Sequence, residues 1–120
     1  MTSHTLKKNF DKLKEKKETA LITYTVAGDP DKETSLEILK SIAKSGANII
    51  EIGLAHNTPI GDGKEIQNST HRAILNGTKV NDLFDIIYDF KKDYSTDVII
   101  MTYYNMILQF GPDNFINECR

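Results

Sequence analysis

Apolar residues along this chain follow two alternating spacings. Leu21-Ile22-Thr23-Tyr24-Thr25-Val26, Asn48 to Leu54, and Val98-Ile99-Ile100-Met101-Thr102-Tyr103 are short runs rich in β-branched and aromatic residues, and they read as three strands. Between them apolar positions recur at helical spacing. Leu36, Leu39, Ile42 and Ala43 form one stripe, and Leu83, Ile86, Ile87 and Phe90 another over about residues 81–92. A helix over 65–75 is expected to stop at Gly77, and Phe110 to Cys119 to begin a further one. Leu6, Phe10 and Leu13 among lysines predict a short amphipathic helix over 4–18, with the lysines on its solvated face.

Turn chemistry supports these boundaries. Gly28-Asp29-Pro30 closes the first strand, and Asp29 or Asp31 can cap the helix that follows, with Pro30 tolerated near its first turn. Gly46 suits the position just past that helix. Strands alternating with helices predict parallel βαβ units joined by right-handed crossovers. The near-continuous apolar run of the second strand is what a sheet covered on both faces requires. With no linker and no low-complexity stretch, residues 1–120 read as a single partial domain.

Composition narrows the partners. Hydrophobic residues make up 39% of the chain, charged residues 27%, and the net charge is −2, so neither a nucleic acid nor a membrane surface is expected. No apolar run approaches the roughly 18 residues of a membrane-spanning helix. Met1-Thr2-Ser3-His4 lacks an apolar leader core, and Asp11, Glu15 and Glu18 interrupt the early lysines, unlike a transit peptide. The one cysteine, Cys119, cannot form an internal disulfide and fits a reducing, cytoplasmic setting as a packed helix residue.

Chemistry concentrates in Ile49-Ile50-Glu51-Ile52-Gly53-Leu54-Ala55-His56-Asn57-Thr58-Pro59-Ile60-Gly61-Asp62-Gly63. A carboxylate inside an apolar strand is costly unless paired, hydrogen-bonded or protonated. The plain explanation of Glu51 is a strand-end salt bridge; a second carboxylate, Asp62, on the following Gly/Pro loop points instead to a site where strands end. Burial would raise the pKa of Glu51, while Asp62 between two glycines would stay solvated and ionised, the usual division between a general acid and a charge stabiliser. Glu51, His56, Asp62 and His71 match no metal-ligand spacing, so no metal is expected.

Tyr24-Thr25-Val26-Ala27-Gly28-Asp29-Pro30, Glu51-Ile52-Gly53, Pro59-Ile60-Gly61-Asp62-Gly63 with Ile66-Gln67, and Met101-Thr102-Tyr103-Tyr104-Asn105 occur in an order and at a spacing that closely resemble the tryptophan synthase α subunit. The likeness runs from about Leu21 to the last residue. It implies an α/β fold, the N-terminal portion of a (β/α)8 barrel comprising about three βα units. It further implies reversible aldol cleavage of indole-3-glycerol phosphate to indole and glyceraldehyde 3-phosphate, the last stage of tryptophan biosynthesis. No cofactor is implied on this chain; pyridoxal phosphate belongs to the β subunit, its expected partner in an α2β2 assembly. By the same resemblance Glu51 is the general acid–base and Asp62 the group that binds the indole N–H. Tyr24 and Tyr103, as strand residues, would line the indole pocket, and Asn105 in the loop after the third strand would face the β subunit with His56, Asn57 and Thr58. Asp29 would help order the catalytic loop.

The sequence departs from the family in these loops. The usual Pro-Phe-Ser-Asp-Pro is Ala55-His56-Asn57-Thr58-Pro59, Asp-Gly-Pro is Asp62-Gly63-Lys64, and Asn-Pro is Asn105-Met106. Fewer prolines raise the entropy cost of ordering the loops, which bears on β-subunit affinity more than on catalysis. A barrel of this kind needs about 250 residues, against 120 here. Three strands alone would leave an apolar face and sheet edges open, and would lack the phosphate site built after strands 7 and 8. Two functional expectations follow: a lyase chain of the tryptophan synthase type, seen in its N-terminal part, or a truncated non-catalytic remnant with an interaction role. An unrelated phosphate-binding barrel is disfavoured by Glu51 and Asp62 occurring with Tyr103-Tyr104-Asn105.

Overall fold

The computed structural model describes residues 4–120, and the reading of Met1-Thr2-Ser3 as part of a leaderless start lies outside the described residues. In chain order these form α1 (His4–Lys16), β1 (Ile22–Val26), α2 (Lys32–Lys44), β2 (Ile49–Gly53), α3 (Lys64–Leu75), α4 (Val80–Asp93), β3 (Asp97–Met101), α5 (Tyr104–Phe110) and α6 (Pro112–Glu118). The strands pair in parallel in the order β1-β2-β3. Among the described residues no helix is long and apolar enough to cross a membrane.

The strands use their two faces differently. Ile50 and Ile52 of β2 and Val98 of β3 face the helices, where they meet Leu39 of α2 and Leu83, Ile86 and Phe90 of α4 in the main core. The stripes expected on α2 and α4 are therefore the surfaces that cover this side of the sheet. Lys32 ties the two helices together by reaching Asp82 at 3.2 Å and Asp85 at 2.8 Å. On the opposite face Tyr24 and Val26 of β1 lie beside Glu51 and Gly53 of β2. A smaller cluster of Val26, Ala55 and Ala73, joined by Ile66 and Ile74 of α3, closes that face near the carboxyl end of β1.

Local signals largely act as read. Asp31, not Asp29, caps α2: its carboxylate accepts the Thr34 backbone N–H at 2.7 Å. The first helix is a correction in part, because Leu13 is buried while Phe10 is 47% exposed. Asn9 of α1 instead does the anchoring, donating to the Asn48 carbonyl at 3.0 Å and to Asp97 at 3.2 Å across the starts of β2 and β3. The third strand is also corrected. It ends at Met101, and the chain turns at once into α5 and then α6. The helix expected over Phe110 to Cys119 is α6, opened by Pro112, while α5 is a further helix formed where strand end and loop were expected.

The open sheet expected of three strands is present. Leu21 and Ile22 are 53% and 44% exposed at the β1 edge. Beside β3, a cavity of about 610 Å³ lies among Ile87, Tyr88, Val98, Ile100 and Phe115. Stability then rests on the helix-covered face. Phe90→Ala, at a fully buried position, is expected to cost about 3–5 kcal/mol in urea unfolding. Leu75→Ala, at a position 73% exposed, should change stability by less than about 0.5 kcal/mol.

Candidate active site

Register alone brings the first two candidates together. Tyr24, Glu51 and Ile99 stand opposite one another across β1, β2 and β3. Side chains alternate along a strand, so Glu51 points away from the helix-covered core that holds Ile50 and Ile52. It is half-buried between these two buried neighbours, so the enclosure expected of it is not complete within these three strands. Among the described residues its carboxylate has no hydrogen-bond partner. Tyr24 leans along the sheet over Gly53, where a Cβ would overlap the phenol hydroxyl; only glycine at this position admits the ring.

Asp62 arrives from the other side. The loop after β2 leaves the core at Leu54 and Ala55, both buried, and returns at α3. Its tip is held by Tyr103, whose hydroxyl accepts the Gly61 backbone N–H at 2.9 Å and donates to Asp62 at 3.2 Å. Gln67, in the first turns of α3, donates to the Asp62 carbonyl at 2.9 Å. Burial pushes the Tyr24 phenol up to about 12, with the charges of Asp62 and Glu51 and the Tyr103 phenol adding to it. Tyr24, Glu51, Asp62 and Tyr103 thus share one electrostatic neighbourhood.

The residues read as facing a partner form a second layer. His56 stacks on Tyr103 with ring centroids 4.7 Å apart and planes inclined by 27°. Its Nδ1 accepts the Thr58 backbone N–H at 3.0 Å, and its Nε2 lies 3.1 Å from the Asn105 side-chain amide. Asn57, Thr58 and Asn105 are exposed, and His56 is half-buried. Two positions differ from the expectation. Tyr103 is the N-cap residue of α5, not a strand residue, and Asn105 lies in the first turn of α5, not in a loop. Extended backbone at Tyr103 followed at once by a helix directs the phenol back over the loop that carries Asp62.

The partners of Asp29 became visible only in three dimensions. Arg72 of α3 grips its carboxylate with two hydrogen bonds, at 2.8 Å and 2.7 Å, and Ser69 donates a third. Asn76 donates to the Pro30 carbonyl from the same helix. Gly28, with φ +76°, packs so closely on Thr78 that a Cβ would overlap it. The turn after β1 is thereby clamped to α3, and α3 carries Gln67, which holds the Asp62 loop. Ser69 and Arg72 share a helix face at i, i+3, which was the available signal. The carboxylate they meet lies about forty residues earlier, and local spacing cannot name it.

Among the described residues, no group of three or more His, Cys, Asp or Glu side chains could hold a metal ion. Cys119 is the C-cap of α6, and burial pushes its thiol up, away from the thiolate a nucleophile needs.

Comparison with known proteins decides the family. A family model described as the tryptophan synthase alpha chain matches residues 10–120. The chain belongs to the tryptophan synthase alpha chain family. The match begins within α1, ahead of the segment on which the resemblance was read. A tryptophan synthase alpha chain from Pelagibacter ubique is 59% identical over 112 residues, covering 92% of this chain and 42% of that protein. A tryptophan synthase structure from M. tuberculosis, in an aminoacrylate-bound form, superimposes with a TM-score of 0.90 at 30% identity, covering 94% of this chain and 46% of that one. A tryptophan synthase complex from Pyrococcus furiosus gives a TM-score of 0.79 at 43% identity, covering 83% and 41%. The chain spans less than half the length of these relatives. Its three parallel strands and their helices correspond to that share of a (β/α)8 barrel.

Two measurements check the electrostatics. Arg72 holds the Asp29 carboxyl below its ordinary pKa, with Ser69 contributing further and burial opposing. A depressed folded-state pKa stabilises the fold above the unfolded value and loses that contribution as pH falls through the folded one. Asp29→Asn should therefore cost about 1–2 kcal/mol at neutral pH, modest because Arg72 is 55% exposed, and remove part of the acid-unfolding limb below about pH 4. Tyr24 runs the other way. Its raised pKa keeps the folded phenol protonated while the unfolded one ionises from about pH 10, so stability is lost as pH rises toward about 12. In an ultraviolet titration, one of the five tyrosines should ionise near 12, and that transition should vanish in Tyr24→Phe.

Proposed function

We propose that this chain supplies the acid–base residues for aldol cleavage of indole-3-glycerol phosphate to indole and glyceraldehyde 3-phosphate. The observation that carries the reading is Glu51 standing beside Tyr24 on the face of the sheet away from the main core, with Asp62 held by Tyr103 on the loop that leaves the carboxyl end of the same strand. Ligands of parallel α/β proteins gather there. Cleaving the bond between the indole C3 and the glycerol side chain requires a proton for C3 and removal of one from the adjacent hydroxyl, which becomes the aldehyde. Glu51 is assigned both transfers in turn. Asp62 accepts the indole N–H and stabilises the positive charge that grows on the ring as C3 is protonated.

The surrounding residues suit these roles. Tyr103 donates to one Asp62 oxygen, which leaves the other for a ligand. Tyr24 and Tyr103 offer aromatic surface to an indole, and the raised pKa keeps the Tyr24 phenol neutral beside two carboxylates. His56, Asn57, Thr58 and Asn105 are assigned to the contact with a tryptophan synthase β subunit, in an α2β2 assembly whose pyridoxal phosphate resides on the β chain. Exposure of Asn57, Thr58 and Asn105 at one end of the sheet supports this assignment. The reading needs no cofactor on the α chain, and a cytoplasmic setting suits the single reduced cysteine.

Positioned acid–base groups each supply on the order of 10²–10⁴ in rate, and binding of a remote phosphate commonly drives chemistry at the reacting centre. Three strands hold the first and lack the second, which barrels build after strands 7 and 8. The 120-residue chain alone should therefore cleave indole-3-glycerol phosphate at no more than trace rate. Mixed with strands 4–8 of the Pelagibacter ubique alpha chain, it should gain activity that Glu51→Gln or Asp62→Asn lowers at least about 100-fold. Substantial activity of the chain alone, or activity indifferent to both substitutions, would overturn the assignment. A folded mixture without activity would favour the non-catalytic reading.

A further inference from the structure

We infer that His56 is a positioning residue that sets Asp62 through Tyr103, and that it does so only while its imidazole is neutral. The inference deepens the proposed site and draws its catalytic meaning from it. The contacts of the ring carry the argument. Nδ1 accepts the Thr58 backbone N–H at 3.0 Å, two residues ahead, a pairing that otherwise belongs to Asn or Asp side chains in tight turns. An accepting Nδ1 requires that the neutral ring carry its proton on Nε2. Nε2 lies 3.1 Å from the Asn105 amide nitrogen, so the Nε2–H tautomer that Thr58 imposes requires the Asn105 amide turned to bring its oxygen to the ring. The face of the ring lies on Tyr103.

The Tyr103 hydroxyl then joins two points of the loop, accepting from Gly61 N–H and donating to Asp62. A chain of contacts thus leads from the imidazole to the carboxylate. Protonating the imidazole breaks the bond to Thr58 that fixes the ring at the head of this chain. Nδ1 becomes a donor, and two N–H groups then face each other between His56 and Thr58. The titratable groups facing the ring are Tyr103 at the N-cap of α5, His71 of α3 across a shared cavity, and Asp62 behind Tyr103 on its own loop. His71 is the other imidazole lining the same cavity, so it is the control residue.

The test uses the full chain, labelled with ¹⁵N, and reads the loop rather than turnover. Long-range proton–nitrogen spectra should show the Nε2–H tautomer of His56 at about pH 8. Protection of the Thr58 amide against water exchange, corrected for the intrinsic rate, should fall by about tenfold between about pH 8 and about pH 5, the ratio that one hydrogen bond of ordinary net strength sustains. Gly61 should follow in the same direction. His56→Asn keeps an acceptor for Thr58 that does not titrate, and should restore protection while abolishing its pH dependence. His56→Phe keeps the aromatic face and should leave Thr58 unprotected at both pH values. His71→Gln should retain a falling profile.

An Nδ1–H tautomer, a flat wild-type profile, or full Thr58 protection in His56→Phe would overturn the inference. Should a variant fail to fold, the wild-type tautomer and pH profile still decide it. Absence of cleavage activity in the complemented enzyme would not alter these readouts, so failure of the proposed reaction and failure of this inference remain distinguishable.

Discussion

The parallel register of β1, β2 and β3 is the constraint on which the rest of the site depends. It places Tyr24 beside Glu51 and Val26 beside Gly53, and because side chains alternate, it commits Glu51 to the face opposite the helix-covered core. A slip by one residue would turn Glu51 into that core, where an unpaired carboxylate is costly. Gly53 has a role for the same reason. Its missing side chain is the space in which the Tyr24 ring lies, so the second strand yields volume at the point where the first brings an aromatic residue.

Around this sheet the protein uses polar ties to hold loops that packing does not. Asp29, gripped by Arg72 and Ser69, locks the turn after β1 to α3, and Gln67 of α3 holds the carbonyl of Asp62. Tyr103 reaches the same loop from the start of α5. The loop carrying Asp62 is therefore held from two directions, by α3 at the Asp62 carbonyl and by the start of α5 at its carboxylate. The opposite face relies chiefly on apolar contact of α2 and α4 with β2 and β3, with Lys32 bridging the two helices to Asp82 and Asp85.

Much of this architecture was legible in the chain. The stripe Leu83, Ile86, Ile87 and Phe90 marked α4, and the β-branched runs marked all three strands. Gly53, Glu51 and Asp62 could be assigned to a strand and the loop after it. Legibility failed where local signals were weak or competing. Phe10 stood at helical spacing and yet is exposed, because the contact made by α1 runs through Leu13 and Asn9. Tyr103 prolonged an apolar run, so it read as strand, whereas the chain enters α5 immediately after it. The helix read from Phe110 begins at Pro112, since a proline opens a helix more readily than it continues one, and the short α5 before it carried no stripe that marked it.

The sequence by itself determined the three strands, most of the helices, the alternation that demands a parallel α/β sheet, and the places of Glu51 on a strand and Asp62 on the loop after it. These depend on periodicity and residue chemistry within a few positions of each other. Only the tertiary structure decided which partners those groups acquire. Arg72 meets Asp29, Tyr103 meets Asp62 and His56 meets Asn105 across separations of more than forty residues. Hydrogen bonds act over a few ångströms of space and are indifferent to distance along the chain, so residues that carry no mutual signal in sequence become neighbours only when the sheet and its helices close around them.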